Sequence, residues 1–135
     1  PGTMGSLFSM IIIILLKHFL NNIFFVCIFV LLFFISLKLI EIYSKSINKH
    51  DSSEIVIDEF LGIYFIMIFL DYISFSNILI DIILVFIFFR IFDILKPFPI
   101  NFIDKKFNNS FGVIFDDIIA GIYSLVTLFL INAFI

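Results

Sequence analysis

Residues 23–40 read IFFVCIFVLLFFISLKLI, a run of eighteen residues in which Lys38 is the only charged side chain. A helix rises about 1.5 Å per residue, so a run of this length nearly crosses a hydrocarbon layer of roughly 30 Å. Cys27 lies inside the run, where a thiol behaves as a small hydrophobe rather than as a metal ligand or nucleophile. The stretch therefore predicts a transmembrane helix.

The rest of the chain is similar in composition. Hydrophobic residues make up 63% and charged residues 14% of the 135 positions, against about 45–50% and about 25% in soluble domains. Apolar runs predict helices at 4–20, 23–40, 55–70, 77–93 and 113–134. The first is the weakest, because its uninterrupted apolar run is short. We expect one domain over 1–135, an all-α integral membrane bundle of four to five transmembrane helices, with a truncated N-terminus because the chain begins at Pro1.

Charged residues sort unequally between the two ends of such a bundle. If five helices span, Lys17 stands alone on one side, and the other side holds the remaining cations: Lys38, Lys45, Lys49, Arg90, Lys96, Lys105 and Lys106. The positive-inside rule places the richer side in the cytoplasm, as in a multi-pass protein of the inner (cytoplasmic) membrane. Most acids share that side. His18 falls opposite and marks an interface, whereas His50 is either a solvated loop residue or a hydrogen-bonding partner of a phosphate.

Two of the predicted helices begin with a similar acidic motif. Asp58-x-x-x-Gly62-Ile63-Tyr64 matches Asp117-x-x-x-Gly121-Ile122-Tyr123, and each aspartate has an acidic neighbour. An acid and a glycine four residues apart share one helix face, and glycine allows a second helix to approach closely. We therefore expect both acids to point into the bundle. The alternatives are a charge pair that only fixes the helix end, and a chance match in an isoleucine-rich chain.

The fourth predicted helix ends with charges at regular spacing. Arg90, Asp93 and Lys96 follow at i, i+3 and i+6, which predicts one stripe on the helix surface. The stripe is either an interfacial salt-bridge ladder or part of a site. Pro97 and Pro99 end the helix, and residues 101–111 alternate apolar with polar side chains. This segment either lies in the headgroup layer, where it could hold an amphiphilic substrate, or is a plain loop.

Acids from three helix ends would converge at one membrane depth: Asp58, Glu59, Asp93, Asp116 and Asp117. Converging carboxylates repel one another unless a cation neutralises them. Oxygen ligands without cysteine indicate a hard cation, Mg²⁺ or Mn²⁺. Arg90 and Lys96 beside them suit phosphate oxygens. The combination is typical of metal-assisted phosphoryl transfer.

These segments together resemble the phosphatidylglycerophosphatase A family. The similar stretches are 1–6 (PGTMGS), 50–51 (HD), 55–62 (IVIDEFLG), 89–100 (FRIFDILKPFPI) and 111–121 (FGVIFDDIIAG). The resemblance implies Mg²⁺-dependent removal of the terminal phosphate from phosphatidylglycerophosphate, giving phosphatidylglycerol, in phospholipid biosynthesis. It implies a membrane and a phospholipid as partners and no nucleic acid. One departure is Asn108-Asn109-Ser110, where the family usually has His-Gly-Gly, so a histidine role there cannot be carried over.

The predicted site follows from both arguments. Asp58, Glu59, Asp93 and Asp117 are the expected catalytic acids and, with Asp116, the expected Mg²⁺ ligands, whereas Arg90, Lys96, Thr3 and Ser6 would bind phosphate. Thr3 and Ser6 are expected in a glycine-containing turn. Which acid is base, and whether water attacks directly or an aspartyl phosphate forms, stay open. The rival classes are an ion or proton carrier, whose acids would extend across the membrane, and a non-catalytic membrane assembly factor.

Overall fold

The computed structural model describes residues 2–47, 56–73, 77–106 and 110–134, and within these ranges every regular element is helical. A short 3-10 turn, Leu70–Tyr72, follows the third of the α-helices. In chain order the helices are α1 (Gly2–Phe19), α2 (Asn22–Ile47), α3 (Ile57–Ile68), α4 (Ile78–Leu95), α5 (Ile100–Lys106) and α6 (Ser110–Phe134). The predicted all-α class is confirmed for the described residues.

Each of the five predicted helices has a counterpart, but two differ from the prediction by three or more residues at one end. α2 continues to Ile47 instead of residue 40, and Lys45 pairs with Glu41 at 3.0 Å in the added turns. Such i,i+4 pairs support exposed helical turns. α6 begins at Ser110 instead of residue 113, because Gly112 is accommodated inside the helix, where it is buried.

The segment after Pro99 is more regular than the sequence indicated. Ile100–Lys106 forms the short helix α5, and the Ile103 backbone N–H donates to the Pro99 carbonyl oxygen at 3.0 Å. Ile100 and Ile103 are buried, and α5 packs against α6. Three-residue spacing places both isoleucines on one helix face. Residues 100–106 therefore form a short helix that buries its isoleucine face and leaves Phe102, Lys105 and Lys106 exposed.

Two of the described helices are long and apolar enough to cross a membrane: residues Asn22–Tyr43 of α2 and Phe111–Phe134 of α6. The apolar stretch of α1, Thr3–Phe19, is shorter than these two. α4 carries Asp81, Arg90 and Asp93 within its eighteen residues. α3 has twelve residues, which rise only about 18 Å against a hydrocarbon layer of roughly 30 Å. The expected count of four to five spanning helices is therefore not established by helix length and composition.

α3 lies at the centre of the bundle, where it packs against α1, α2, α4 and α6. Its side chains are buried around most of its circumference, as expected for a helix that is apolar on all sides after its first turn. The ring of Tyr64 stacks on that of Phe25 in α2, with 4.4 Å between centroids. The Tyr64 hydroxyl donates to the Phe25 carbonyl oxygen at 2.7 Å. A polar group in the centre of the bundle is thereby satisfied.

α3 and α6 approach each other most closely at two glycines. A Cβ atom on Gly62 would lie 2.9 Å from the backbone oxygen of Asp117 and 2.7 Å from a ring carbon of Phe89. A Cβ atom on Gly121 would lie 3.1 Å from the Gly62 carbonyl oxygen. The close approach expected from the repeated motif is present, and Asp58 and Asp117 are both buried one turn before these glycines.

α2 lies at the edge of the bundle. Only 17% of its long apolar stretch is buried inside the bundle. Large side chains such as Leu31, Phe34 and Ile42 are exposed. A continuous apolar surface of this kind is unusual in water but ordinary in contact with lipid. The exposed face of α2 is consistent with a membrane environment.

Candidate functional site

One end of the bundle gathers the start of α1, the start of α3, the end of α4 and the first turns of α6. Side-chain contacts join these elements. Ser6 Oγ of α1 donates to Glu59 Oε2 of α3 at 2.8 Å, and Arg90 Nη1 of α4 lies 3.6 Å from Glu59 Oε1. Lys96 Nζ, directly after α4, lies 3.2 Å from Asp116 Oδ2 of α6. The structure thus brings together most of the acids and cations singled out in the sequence.

The acids are withdrawn from solvent. Asp58, Asp116 and Asp117 are buried, and the side chains of Glu59 and Asp93 are 13% and 14% exposed. Asp58 Oδ1 accepts a hydrogen bond from the Glu59 backbone N–H at 2.9 Å. A carboxylate that only anchors a helix end at the membrane surface would reach into water. These carboxyl groups instead face the interior, as the repeated motif predicted.

Asp117 has the most acidic surroundings. Its carboxyl group interacts electrostatically with those of Asp58, Asp93 and Asp116, and it is within hydrogen-bonding contact of Asp93. Asp117 Oδ2 is buried and has no hydrogen-bond partner among the described residues. Carboxyl groups this close require a positive charge between them, which a proton or a metal cation can supply.

Arg90 is held by side chains from three helices. Its Nη1 lies 2.8 Å from Asp93 Oδ2, 3.6 Å from Glu59 Oε1 and 3.4 Å from Ser6 Oγ. The Arg90–Asp93 pair is the i,i+3 contact that the sequence stripe predicted. The guanidinium is therefore held in position by three side chains, and its buried Nε–H is left without an acceptor in the described part of the chain.

Ser6 and Thr3 differ in their surroundings. Both lie in the first turns of α1, so the expected glycine-containing turn is instead helix from Gly2 onward. Ser6 is fully buried against Glu59, whereas Thr3 is exposed. α1 can pack over the start of α3 because Gly5 has no side chain, and a Cβ atom there would lie 2.5 Å from Val56. Ser6 thus belongs to the cluster, and Thr3 lies at its periphery.

Lys96 does not continue the predicted stripe of Arg90 and Asp93. α4 ends at Leu95, and Lys96 adopts a left-handed conformation with φ 46° and ψ 62°. This conformation is uncommon for a residue with a side chain. The turn interrupts the helical repeat, and the Lys96 ammonium group pairs with Asp116 of α6. The expectation of three charges on one helix surface was therefore wrong for Lys96, although the residue stays in the cluster.

Asp116 and Asp117 also lie deeper in their helix than expected. Because α6 begins at Ser110, both acids are past its first turn. The favourable effect of a helix N-terminus on negative charge fades within that turn. Asp116 is stabilised instead by the Lys96 ammonium group.

A metal site can be judged by its donor atoms. Among the described residues, no three His, Cys, Asp or Glu side chains form a group that could hold one ion. Carboxylate oxygens surround Asp117, and its own buried Oδ2 has no hydrogen-bond partner among the described residues. Oxygen atoms of this kind are nevertheless the ligands that a hard cation prefers. The side chains therefore fit such an ion by donor type, without forming a coordination shell.

Two tyrosines complete the repeated motif in a way that sequence reasoning missed. Like Tyr64, Tyr123 donates its hydroxyl to a backbone carbonyl, that of Phe98 in the turn after Lys96. The Tyr123 ring also packs edge-on against Phe92. The sequence did contain a sign of this shared role, because each tyrosine stands two residues after the glycine of its motif.

Other sequence predictions fall at the far end or outside the described residues. Lys17 pairs with Asp71 at 3.3 Å at the opposite end, where Asp81 is also buried. His50 and Asn108-Asn109 lie outside the described residues, and Ser110 is the first residue of α6.

The fold and the cluster define a class: a small apolar helical bundle with buried carboxyl groups and two paired cations at one end. Comparison with known proteins specifies it further. The family model described as phosphatidylglycerophosphatase A matches residues 1–132. The chain belongs to the phosphatidylglycerophosphatase A family, which makes it an enzyme of the phosphatase class.

Two relatives agree with this assignment. The phosphatidylglycerophosphatase A of Haemophilus influenzae is 37% identical over 132 residues, covering 98% of this chain and 78% of the relative. That of Escherichia coli is 33% identical over 132 residues, covering 98% and 74%. No solved structure matches the chain.

Proposed function

We propose that the chain hydrolyses phosphatidylglycerophosphate to phosphatidylglycerol and phosphate. Family membership supports this substrate. The observation that carries the proposal is the pairing of Arg90 and Lys96 with buried carboxyl groups at one end of the bundle. In the reaction, the bond between the terminal phosphorus and the glycerol oxygen breaks. The oxygen of water joins the phosphate, and the glycerol oxygen takes a proton.

In this proposal the cations bind the terminal phosphate. The buried Nε–H of Arg90 would donate to one phosphate oxygen, and the rigid guanidinium suits a second, parallel contact. Lys96 would contribute a point charge. Ser6 would have to exchange its hydrogen bond to Glu59 for one to a phosphate oxygen. Because Arg90 is already fixed by Asp93 and Glu59, little ordering would be needed when substrate binds.

The acids would divide between metal binding and proton transfer. We propose that Mg²⁺ is held by ligands drawn from Asp58, Glu59, Asp93, Asp116 and Asp117. Since no three of these side chains form a metal-binding group as they stand, they would have to move closer together when the ion binds. When bound, Mg²⁺ would supply positive charge to the carboxylates and to the phosphate oxygens. A carboxylate not engaged with the cation would take the proton from the attacking water, and Asp58, Glu59, Asp93 and Asp117 are the candidates. An aspartyl phosphate intermediate is the alternative route.

The proposed setting is the inner membrane, with four to five helices crossing it and the acid-rich end at the cytoplasmic face. Two apolar helices and the lipid-like exposure of α2 support a membrane location. The excess of cations at this end supports its orientation. Phospholipid substrates with a charged headgroup lie at the same depth as such a site.

Orientation can be tested by cysteine labelling. With Cys27 replaced by serine, single cysteines at positions 49 and 105 should resist a membrane-impermeant thiol reagent added to intact cells. A cysteine at position 18 should react. Labelling of both positions from outside would refute the cytoplasmic orientation. Labelling of only one would place them on opposite sides and indicate an odd number of spans between them.

The function is tested by phosphate release from phosphatidylglycerophosphate in vesicles containing the purified chain. We expect release with Mg²⁺, loss in excess EDTA and loss in Asp117→Asn. Asp71→Asn is the control, because Asp71 is exposed at the far end. Asp81→Asn would be a poorer control, since Asp81 is buried. No release by the unmodified chain would exclude this activity.

The same variants separate the rival classes. An ion or proton carrier needs acids along the membrane thickness, and buried Asp81 is the acid such a path would use at the far end. Loss of ion flux in Asp81→Asn without phosphate release from the unmodified chain would favour a carrier. An assembly factor would tolerate Asp58→Asn and Asp117→Asn together.

A further inference from the structure

The helix α5 and the turn before it present an outward surface that the proposed chemistry does not use. We call Phe98, Phe102, Lys105 and Lys106 the α5 ledge. Phe98 is 75% exposed and Phe102 is 50% exposed. Both lysines are exposed, and Lys106 Nζ lies 5.1 Å from the centre of the Phe102 ring. Two exposed aromatic rings and two cations therefore occupy one short segment.

The segment that carries the ledge is attached to the bundle through its buried side chains and a hydrogen bond. Ile100 and Ile103 are buried, and α5 packs against α6. The Tyr123 hydroxyl donates to the Phe98 carbonyl oxygen. The turn that positions Phe98 follows Lys96, whose ammonium group contacts Asp116 in the candidate site. The ledge is therefore a defined surface that adjoins the site.

We infer that the α5 ledge binds anionic phospholipid headgroups of the surrounding bilayer, with its aromatic rings among the upper acyl chains. Exposed phenylalanine rings are unfavourable in water and favourable below the headgroups. α5 carries Lys105 and Lys106 against one acid, Asp104, and each lysine near an anionic surface strengthens binding about fivefold. Charge complementarity therefore selects anionic over zwitterionic lipid. The inference rests on the proposed function only in placing this end at the membrane surface.

The absence of tryptophan from the chain provides a direct probe. Phe102→Trp introduces a single tryptophan on the ledge, and bromine atoms on lipid acyl chains quench its fluorescence on contact. The chain is reconstituted in vesicles that contain equal amounts of phosphatidylglycerol and phosphatidylcholine, with bromine on one lipid or the other. We expect stronger quenching by brominated phosphatidylglycerol. Adding Lys105→Gln and Lys106→Gln should remove the preference, and so should about 1 M salt.

Phe129→Trp is the matched control, since Phe129 is 57% exposed on α6 away from these lysines. It should be quenched equally by both lipids. Equal quenching of Phe102→Trp by both lipids would overturn the headgroup preference, and no quenching by either would place the ledge outside the bilayer. Helical circular dichroism checks that the variants fold. Neither result depends on catalysis, so a chain inactive on phosphatidylglycerophosphate would refute the proposed function and leave this test intact.

Discussion

Gly62→Ala is expected to separate α3 from α6 and to disturb the acids that both helices carry. The new Cβ atom would lie 2.7 and 2.9 Å from ring carbons of Phe89 and 2.9 Å from the Asp117 backbone oxygen, where ordinary contacts begin at 3.4 Å. Phe89 is fully buried, so its ring cannot move away freely. The two helices must therefore shift apart by several tenths of an ångström.

The expected cost follows from that shift. Inserting a methyl group into a packed interior typically costs about 1–3 kcal/mol of stability. A displacement near 1 Å at a reacting centre can lower the rate about 100-fold, so we expect phosphate release to fall by about 10- to 100-fold. Gly121→Ala provides a graded comparison, because its Cβ atom would meet the Gly62 carbonyl oxygen at 3.1 Å and its other neighbours at 3.4 Å or more. Its effects should be clearly smaller.

The assays are phosphate release in vesicles and unfolding in mixed detergent micelles, each at equal protein amounts. Gly62→Ala should lose both stability and activity, and Gly121→Ala should lie between it and the unmodified chain. Unchanged activity and stability in Gly62→Ala would show that the two helices do not meet as described. A larger effect at Gly121 than at Gly62 would show that the crossing is placed incorrectly.

The other predictions concern charges at the candidate site. Asp58→Asn and Asp117→Asn should each lower phosphate release by about 10²–10⁴-fold, because each removes a metal ligand or a general base. The control Asp71→Asn should keep near-normal activity and a stability within about 1 kcal/mol of that of the unmodified chain. Equal losses in all three would argue against one site. Arg90→Lys keeps the charge but loses the planar guanidinium that can contact two phosphate oxygens. The value of kcat/KM, measured across substrate concentrations, should therefore fall about 10- to 100-fold. An unchanged kcat/KM would show that Arg90 does not bind the phosphate. EDTA should abolish release and Mg²⁺ restore it; full activity in chelator, or restoration by Zn²⁺ alone, would contradict a hard-cation site.

The features that the sequence predicted well are those that depend on local periodicity. Long apolar runs located five helices, and the four-residue spacing in Asp58–Gly62 and Asp117–Gly121 placed acid and glycine on one face. The i,i+3 pair of Arg90 and Asp93 is of the same kind. A helix face is determined by residue spacing alone, so these features required no knowledge of the packing between helices.

The features that the sequence did not predict depend on contacts between helices. The left-handed turn at Lys96 directs its ammonium group to Asp116, which a helical stripe could not show. Gly112 indicates a helix boundary by its residue type, yet packing keeps it inside α6. The contact of Ser6 with Glu59 joins residues far apart in sequence. Each depends on how one element packs against another.

The crossing at Gly62 and Gly121 has a consequence for how the chain is made. α3 emerges from the ribosome well before α6, because synthesis proceeds from the N-terminus. Until α6 arrives, Gly62 and the adjacent Asp58 lack the helix against which they pack. A membrane segment with a buried acid and no partner helix is costly to keep in lipid. In the proposed membrane setting, assembly of the central helix would therefore wait for α6, and a chain stopped before residue 110 should be a substrate for membrane proteases.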